Sequence, residues 1–461
     1  MTKLTFFGGI EGTIGGNMIL LEDPRNDASV LLDFGINYDK WSQYFDFPFS
    51  RPVDINDLIR CGVVPNIHGL YAGDESQSLV NACIISHPHN DHYKYASILK
   101  EGTSIHMSKC GYEIVKAVEE VKESKSFEDK LVERADRNEI AIANFRTGDK
   151  IKINNLEIEP VHVDHSVPGA YGFLIHTSSG LIVYTGDFRK HGLHSELTDD
   201  FINAINSVGE RVKILICEGT HLVDSTNMTE KDVLNKSTEV AKKTDGLFIV
   251  DHSQADIDRI GTIFKVAESA KKTLVVSEKI ANILQALSSD ARLGKGVREI
   301  IGKSSVYFGS QKKWATKKRK TKLDKKIEAA FGDKQIFSEE IHNSPSKYIL
   351  ATNIYGFSDL KALQPPAGSI YLLSASEPFK EEREFEFGRL LRWLDMYGLP
   401  LVRIHASGHI TPNDLRGFVK SLKPETLIPV HTEHPNLMKL YLSDQCGKTI
   451  IPEKNVPIEI A

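Results

Sequence analysis

His-Pro-His-Asn-Asp-His, at residues 87–92, follows directly after an apolar, strand-like run at residues 82–85. Three imidazoles and one carboxylate within six residues indicate a functional site rather than a structural one. Both groups are suitable zinc ligands. The tight loop directs His87 and His89 at one ion, while Asp91 and His92, at the start of the next helix, face a second. The hexapeptide therefore predicts a site for two metal ions at the end of a strand.

One loop cannot complete two metal sites, so further ligands should follow other strands. Three apolar strand-like runs end in suitable residues, namely His165 before Ser-Val-Pro-Gly, Asp187 after LIVYTG and His431 after TLIPV. Asp187 is the natural bridging ligand, because a carboxylate has two oxygens to share between ions. His162 and Asp164 are rivals to His165, although we favour their interpretation as ordinary alternating strand side chains.

The spacing of apolar runs divides the chain into three parts. Residues 1–212 contain short β-branched runs separated by Gly and Asn, which predicts stacked sheets with few helices. From 213 to 398, apolar strands alternate with helical stretches, and this alternation predicts an inserted parallel α/β domain. Residues 399–461 return to strand-ended motifs and are expected to complete the first domain.

Composition excludes some classes of protein. The 461 residues are 41% hydrophobic and 26% charged, which is typical of a globular protein with a sizeable core. The five cysteines form no CxxC pair, which suits a reducing cytoplasm rather than a disulfide framework. The N-terminal sequence does not resemble a signal peptide, and no apolar run is long enough to span a membrane.

Two segments have no obvious place in this scheme. The net charge is −5, so a surface for nucleic acid must be local rather than global. The basic run 311–326, which contains Trp314, is either such a surface or a solvated helix face. The irregular segment 40–80, rich in aromatic residues, is either a functional lid or a covering segment that buries its own aromatics.

The hexapeptide resembles the HxHxDH signature of the metallo-β-lactamase superfamily, which implies an αββα sandwich here. Asp33, in LLDFG, matches a family motif residue that holds a ligand loop rather than a metal. Alternatively, Asp33 only terminates a strand before Gly35. The resemblance implies two zinc ions and the metal ligands His87, His89, Asp91, His92, His165, Asp187 and His431. Asp91 is also expected to be essential for catalysis.

The long interval between Asp187 and His431, 431 − 187 = 244 residues, resembles the β-CASP branch of this superfamily, whose members act on nucleic acids. Glu218, His409 in HASGHI and His431 in IPVHTEH fit the three motifs of that branch. A histidine at the third motif is typical of its RNA-processing members. The chain resembles ribonuclease J, including its archaeal relatives, although Gly-Thr follows Glu218 where Ser-Thr is common.

The resemblance implies a ribonuclease in which metal-activated water attacks phosphorus, so the products carry 5′-phosphates and 3′-hydroxyls. His409 is the candidate acid for the leaving 3′-oxygen, oriented by Glu218. A 5′-phosphate pocket is expected at His405, Ser407 and Gly408, before a helix that begins at Thr411-Pro412. Such a pocket favours 5′→3′ exonuclease activity. The resemblance is also compatible with endonuclease activity.

Three alternatives stay open: a DNA exonuclease of the same branch, an ester or thioester hydrolase, and a metal-free scaffold. The expected partner is single-stranded RNA, and we expect no association with a membrane. The sequence ends soon after His434, so we expect no counterpart of the C-terminal domain of bacterial ribonuclease J. A homodimer is therefore one of several assemblies compatible with the sequence.

Overall fold

The structure, a computed structural model, describes residues 1–45, 50–122, 126–223, 228–310, 321–353, 359–375 and 381–461, with only the backbone of residues 353 and 381–386. Most of the basic run, residues 311–320, lies outside the described residues, as do Phe47 and Phe49 of the aromatic segment. Both hypotheses for each of these segments therefore stay predictions.

The first sheet has seven strands, which are β1 (Thr2–Gly8), β2 (Met18–Asp23), β3 (Ala28–Phe34), β4 (Ala82–Ile84), β5 (Ser104–Ser108), β6 (Ala141–Phe145) and β21 (Ile458–Ile460). Their order is β21-β1-β2-β3-β4-β5-β6. The pairing is antiparallel from β21 to β3 and parallel from β3 to β6. Because β3 and β4 are parallel, Asp33 and the hexapeptide lie at the same edge.

The second sheet also has seven strands, which are β7 (Ile151–Ile153), β8 (Leu156–His162), β9 (Tyr171–Thr177), β10 (Gly180–Tyr184), β11 (Val212–Glu218), β19 (Thr426–Val430) and β20 (Lys448–Thr449). Their order is β20-β19-β11-β10-β9-β8-β7. β10, β11 and β19 are parallel neighbours and are almost entirely buried. Burial on both faces explains why they consist of nearly continuous apolar runs.

The third sheet is wholly parallel. Its strands are β12 (Phe248–His252), β13 (Thr273–Ser277), β14 (Ser305–Tyr307), β15 (Gln335–Ile336), β16 (Tyr348–Asn353), β17 (Ile370–Leu373) and β18 (Leu401–Arg403). Their order is β15-β14-β13-β16-β12-β17-β18. Crossover helices connect several of these strands, as the alternating sequence pattern predicts.

The described α-helices are Tyr38–Ser42, Ile55–Arg60, Asn90–Tyr93, Lys109–Glu120, Leu131–Asp136, Ser195–Ser207, Glu230–Lys243, Ile257–Ala270, Glu278–Leu287, Gly294–Lys303, Lys322–Phe331, Ser338–Asn343, Leu360–Leu363, Glu381–Met396, Pro412–Leu422 and Pro435–Tyr441. Short 3-10 helices cover Pro24–Asn26, Lys94–Ile98, Phe127–Asp129 and Pro345–Lys347. None of these described helices combines the length and apolar character that crossing a membrane requires.

The apolar core lies in layers that agree with these sheets. One cluster fills the space between the first and second sheets, and further clusters lie under the helices on their outer faces. Two more clusters cover the faces of the third sheet. The predicted fold class is therefore confirmed: a metallo-β-lactamase αββα sandwich with an inserted β-CASP parallel α/β unit.

Three details of the sequence interpretation are corrected. Residues 1–212 contain more helix than expected, because Lys109–Glu120 and Ser195–Ser207 cover apolar outer faces of the sandwich. β11, assigned to the inserted unit, pairs with β10 and β19 in the second sheet. β18, assigned to the final segment, pairs with β17 in the third sheet. The division of the chain into a sandwich and an inserted unit stays a proposal. The strand pairings place the start of the inserted unit after β11 and its end after β18, rather than at residues 212 and 398.

Candidate metal centre

The predicted ligands lie at one edge of the sandwich, where strands of both facing sheets end. The hexapeptide follows β4 in the first sheet, and His165 follows β8 in the second. Asp187 and His431 follow β10 and β19, and Glu218 is the last residue of β11. Since β10, β11 and β19 are parallel, their carboxyl ends bring these three residues together across long stretches of sequence.

The first group of ligands consists of three imidazoles. His87 Nε2 lies 3.0 Å from His89 Nδ1, and His89 Nδ1 lies 3.2 Å from His165 Nε2. One nitrogen from each ring lies within 4.8 Å of the others, a spacing that a single metal ion spans. The rivals do not join this group: His162 bonds to Thr147, and Asp164 pairs with Arg189.

The second group consists of Asp91, His92 and His431. Asp91 Oδ2 lies 3.2 Å from His431 Nε2 and 3.7 Å from His92 Nε2. Asp187 stands between the two groups, with Oδ2 at 3.6 Å from His87 Nε2, 3.2 Å from His92 Nε2 and 3.6 Å from His431 Nε2. Asp187 could therefore serve as a ligand in either group.

The electrostatics of these groups fit a metal cofactor. Asp187 Oδ1 is buried and has no hydrogen-bond partner among the described residues, although buried polar atoms are normally paired. Burial lowers the pKa of His89 to about 4 and holds those of His87 and His165 well below the usual value. Histidine binds metal as a neutral imidazole, so these three residues are in the form that a metal site requires.

Asp33 supports the ligands without lying in either group. Its Oδ1 accepts the Ser86 N–H at 2.7 Å. Its Oδ2 accepts hydrogen bonds from His92 Nδ1 at 2.7 Å, Ser86 Oγ at 2.8 Å and the Tyr184 hydroxyl at 2.5 Å. Because His92 donates from Nδ1, its Nε2 faces the centre. Asp33 therefore does more than terminate β3, and its φ of 57° turns the chain at that point.

Two further contacts orient imidazoles. His165 Nδ1 bonds to the Gly408 carbonyl at 2.6 Å, which directs Nε2 toward His89. Thr220 Oγ1 lies 2.9 Å from His431 Nδ1 and donates to Glu218 Oε2 at 2.8 Å. Sequence reasoning did not identify Ser86, Tyr184 or Thr220 as site residues. The available signals were that Ser86 immediately precedes the hexapeptide and that Thr220 follows Glu218 by two positions.

His409 and Glu218 form a carboxylate–imidazole pair beside the metal groups. His409 Nδ1 lies 3.0 Å from Glu218 Oε2 and 3.8 Å from Asp187 Oδ2. Burial alone would lower the pKa of His409, but the carboxylates of Glu218 and Asp187 raise it to about 9. The side chain of His409 is 21% exposed, whereas that of Glu218 is 1% exposed. The two carboxylates therefore favour the protonated form of His409, which lies on the solvent side of the centre.

Comparisons with known proteins agree with this centre. Residues 401–452 match the family described as the Zn-dependent metallo-hydrolase RNA specificity domain. Ribonuclease J of Mycoplasma pneumoniae is 24% identical over 97% of this chain and 70% of its own length. Ribonuclease J of Sinorhizobium meliloti is 24% identical over 93% of this chain and 68% of its own length. Ribonuclease J of Pyrococcus abyssi is 23% identical over 94% of this chain and 90% of its own length. The chain is a ribonuclease J-like metallo-hydrolase.

The fold of this ribonuclease J-like chain also has a solved counterpart. A crystal structure of a protein of unknown function from Enterococcus faecalis aligns with a TM-score of 0.74 and 22% identity, covering 99% of both chains. At that identity the likeness concerns the fold alone. It includes both the sandwich and the inserted unit, because nearly all of the chain is aligned.

The residues predicted to bind a terminal phosphate lie beside the metal centre of the ribonuclease J-like fold. Ser407 Oγ accepts the His409 N–H at 3.0 Å, and His405 Nδ1 lies 3.2 Å from Arg259 Nη1. Thr411 caps the helix Pro412–Leu422, as the sequence predicts. A Cβ on Gly408 would lie 2.7 Å from Ser166 Oγ and 3.0 Å from the His165 ring. Close packing against His165 thus requires glycine here, besides any approach of a phosphate.

Proposed function

We propose that the chain is a zinc-dependent ribonuclease that binds two zinc ions and hydrolyses single-stranded RNA from its 5′ end, with endonuclease activity on longer substrates. The observation that carries this proposal is the pair of ligand groups that share Asp187 next to the Glu218–His409 pair. A cavity of about 400 Å³ lies between the sandwich and the inserted unit and borders His165.

The residues divide the reaction among themselves. His87, His89 and His165 would hold one ion, Asp91, His92 and His431 would hold the other, and Asp187 could contribute to both. When bound, zinc supplies Lewis-acid activation of a water molecule and neutralises charge on the phosphate. His409 donates a proton to the leaving 3′-oxygen, and Glu218 keeps its ring oriented and protonated. Since water attacks, the products carry 5′-phosphates.

The 5′→3′ direction depends on the proposed phosphate pocket. Ser407 retains its hydroxyl proton for a phosphate oxygen, because Oγ acts only as an acceptor toward His409 N–H. Thr411 and Pro412 place a helix N-terminus behind this loop, and its dipole favours an anion. A terminal phosphate held here lies at a fixed distance from His409, which would release one nucleotide per cycle.

The test uses matched RNA and DNA strands that carry a 5′-monophosphate, a 5′-triphosphate or a 5′-hydroxyl, together with a circular RNA. We expect mononucleotides from 5′-monophosphorylated RNA, slower degradation of the other linear RNAs and little cleavage of DNA. Elemental analysis of the same protein should give two zinc ions per chain. Equal degradation of 5′-hydroxyl RNA would refute the pocket, and preferential cleavage of DNA would favour the DNA exonuclease.

A double variant separates the pocket from the metal centre. Ser407→Ala with His405→Ala should slow exonucleolytic release from 5′-monophosphorylated RNA, while cleavage of the circular RNA changes less. If both activities fall equally, the two residues serve the centre as a whole rather than a terminal phosphate.

We also propose that this activity operates in the cytoplasm. All five cysteines are unpaired in the structure, which agrees with a reducing compartment. Fractionation of cells followed by detection of the protein tests this assignment directly, and recovery outside the cytoplasmic fraction would refute it.

A further inference from the structure

The loop between β18 and the helix Pro412–Leu422 carries His409, and side chains from other parts of the chain hold its carbonyl groups. The donors are Ser374 Oγ to Ile404 (2.7 Å), Arg259 Nη2 to Ala406 (3.1 Å), Arg189 Nη1 to Ser407 (3.1 Å) and His165 Nδ1 to Gly408 (2.6 Å). His191 Nε2 also donates to the Ser407 carbonyl, at 3.0 Å. Residues of the sandwich and of the inserted unit therefore fix the path of one loop.

Arg259 reaches this loop from the inserted unit. Its side chain is fully buried, and it belongs to the helix Ile257–Ala270. Nη2 pairs with Glu230 Oε1 at 2.6 Å, and Nη1 donates to the Ser374 carbonyl at 2.6 Å. A guanidinium has its donors in one rigid plane, so these bonds also fix the direction of the bond to Ala406.

Arg189 reaches the same loop from the sandwich. It lies two positions after Asp187 and is also fully buried. Nε donates to Asp164 at 3.1 Å and Nη2 donates to Asp258 at 3.3 Å. Glu230 Oε1 lies 3.6 Å from Arg189 Nη1, so this carboxylate stands between the two arginines. The buried ion network therefore connects both units at the loop.

We propose that Arg189 and Arg259 are positioning residues for the metal centre. By holding Ala406 and Ser407, they fix the adjoining Gly408 carbonyl, which sets the ring of the metal ligand His165, and they fix the backbone that presents His409. The part that concerns His409 rests on the proposed function. The part that concerns His165 is about metal binding and does not depend on the substrate.

The test compares Arg189→Lys and Arg259→Lys with a matched control. Lysine keeps the charge beside Glu230 but lacks the planar fork, so it cannot keep the carboxylate and the loop carbonyl together. Arg134→Lys is the control, because Arg134 is buried and binds the Ser97 and Leu99 carbonyls away from the centre. Zinc affinity is measured by chelator competition, and thermal melting shows that each variant is folded.

Both arginine variants should lose about 10–100-fold in zinc affinity, the range found when groups that orient metal ligands are removed. Their kcat on RNA should fall while KM changes little. Arg134→Lys should lower the melting temperature without changing zinc affinity. If either arginine variant does not fold, His191→Phe removes one donor to the Ser407 carbonyl and should weaken zinc binding in the same direction.

Wild-type zinc affinity and kcat in the folded arginine variants would overturn the inference. An equal loss of zinc affinity in Arg134→Lys would also overturn it, because the effect would then follow stability alone. If zinc affinity falls only in the arginine variants but the wild-type protein does not cleave RNA, the inference stands and the proposed function fails.

Discussion

Replacement of Asp33 by Asn tests how far support around the ligands determines metal binding. Asp33 is fully buried and accepts four hydrogen bonds, three of them at Oδ2. The asparagine side chain retains the most hydrogen bonds when its oxygen takes the place of Oδ2. Its NH2 group then takes the place of Oδ1 and faces the Ser86 N–H, which loses its acceptor. Asparagine also tolerates the left-handed φ of 57°. The substitution therefore removes a charge and one hydrogen bond with little backbone strain.

The expected magnitude follows from those contacts. One buried N–H without a partner costs about 1–3 kcal/mol, so metal-free Asp33→Asn should be less stable by about that amount. The neutral amide also weakens the bond to His92 Nδ1, and loss of such support reduces metal affinity by about 10–100-fold. Chemical denaturation of the metal-free protein measures the first effect, and chelator competition measures the second.

Asp23→Asn is the matched control. Asp23 is equally buried and accepts hydrogen bonds from Asn26 Nδ2 and from the N–H and hydroxyl of Ser178, away from the centre. It should lose stability but keep wild-type zinc affinity. The reasoning is refuted if Asp33→Asn binds zinc as the wild type does, or if both variants lose zinc affinity equally.

Three other predictions concern catalysis, zinc content and RNA binding. His409→Ala should keep both zinc ions but slow cleavage by about 10²–10⁴-fold, as expected for loss of a general acid, and loss of zinc on elemental analysis would instead make His409 a ligand. Gly15→Ala should lower zinc content, because its Cβ would lie 2.6 Å from Asp91 Oδ2. Gly73→Ala is the control, since it has the same φ of +79° and an open surrounding, and equal zinc content in the two variants would contradict the prediction. Neutralising Lys317, Lys318, Arg319 and Lys320 should flatten the salt dependence of RNA binding, and an unchanged slope would favour the solvated-face hypothesis.

The candidate ligands were predictable because each one follows an apolar strand. The end of a strand can be recognised from local sequence, because an apolar run stops there. His165, Asp187 and His431 each come shortly after such a run. Parallel strands then bring such ends to one edge without any knowledge of distances. The alternation of apolar strands with helical stretches predicted the inserted parallel sheet, whereas the αββα sandwich was implied by the resemblance of the hexapeptide to the metallo-β-lactamase signature.

The supporting residues were not predictable in this way. Thr220 meets His431 across 211 positions, and Arg189 meets Ser407 across 218 positions. Serine, threonine and arginine are common, and nothing local marks these copies. The sequence also did not show that β11 belongs to the second sheet and β18 to the third, because a short apolar run indicates a buried strand but not its neighbour.

The order of the ligands along the chain has a consequence for protein synthesis. His87 and Asp187 are translated early, whereas His409 and His431 come only after the whole inserted unit. A nascent chain on the ribosome therefore carries an incomplete centre until most of its message has been read. Any activity that depends on this centre therefore begins only after nearly the whole chain has been synthesised.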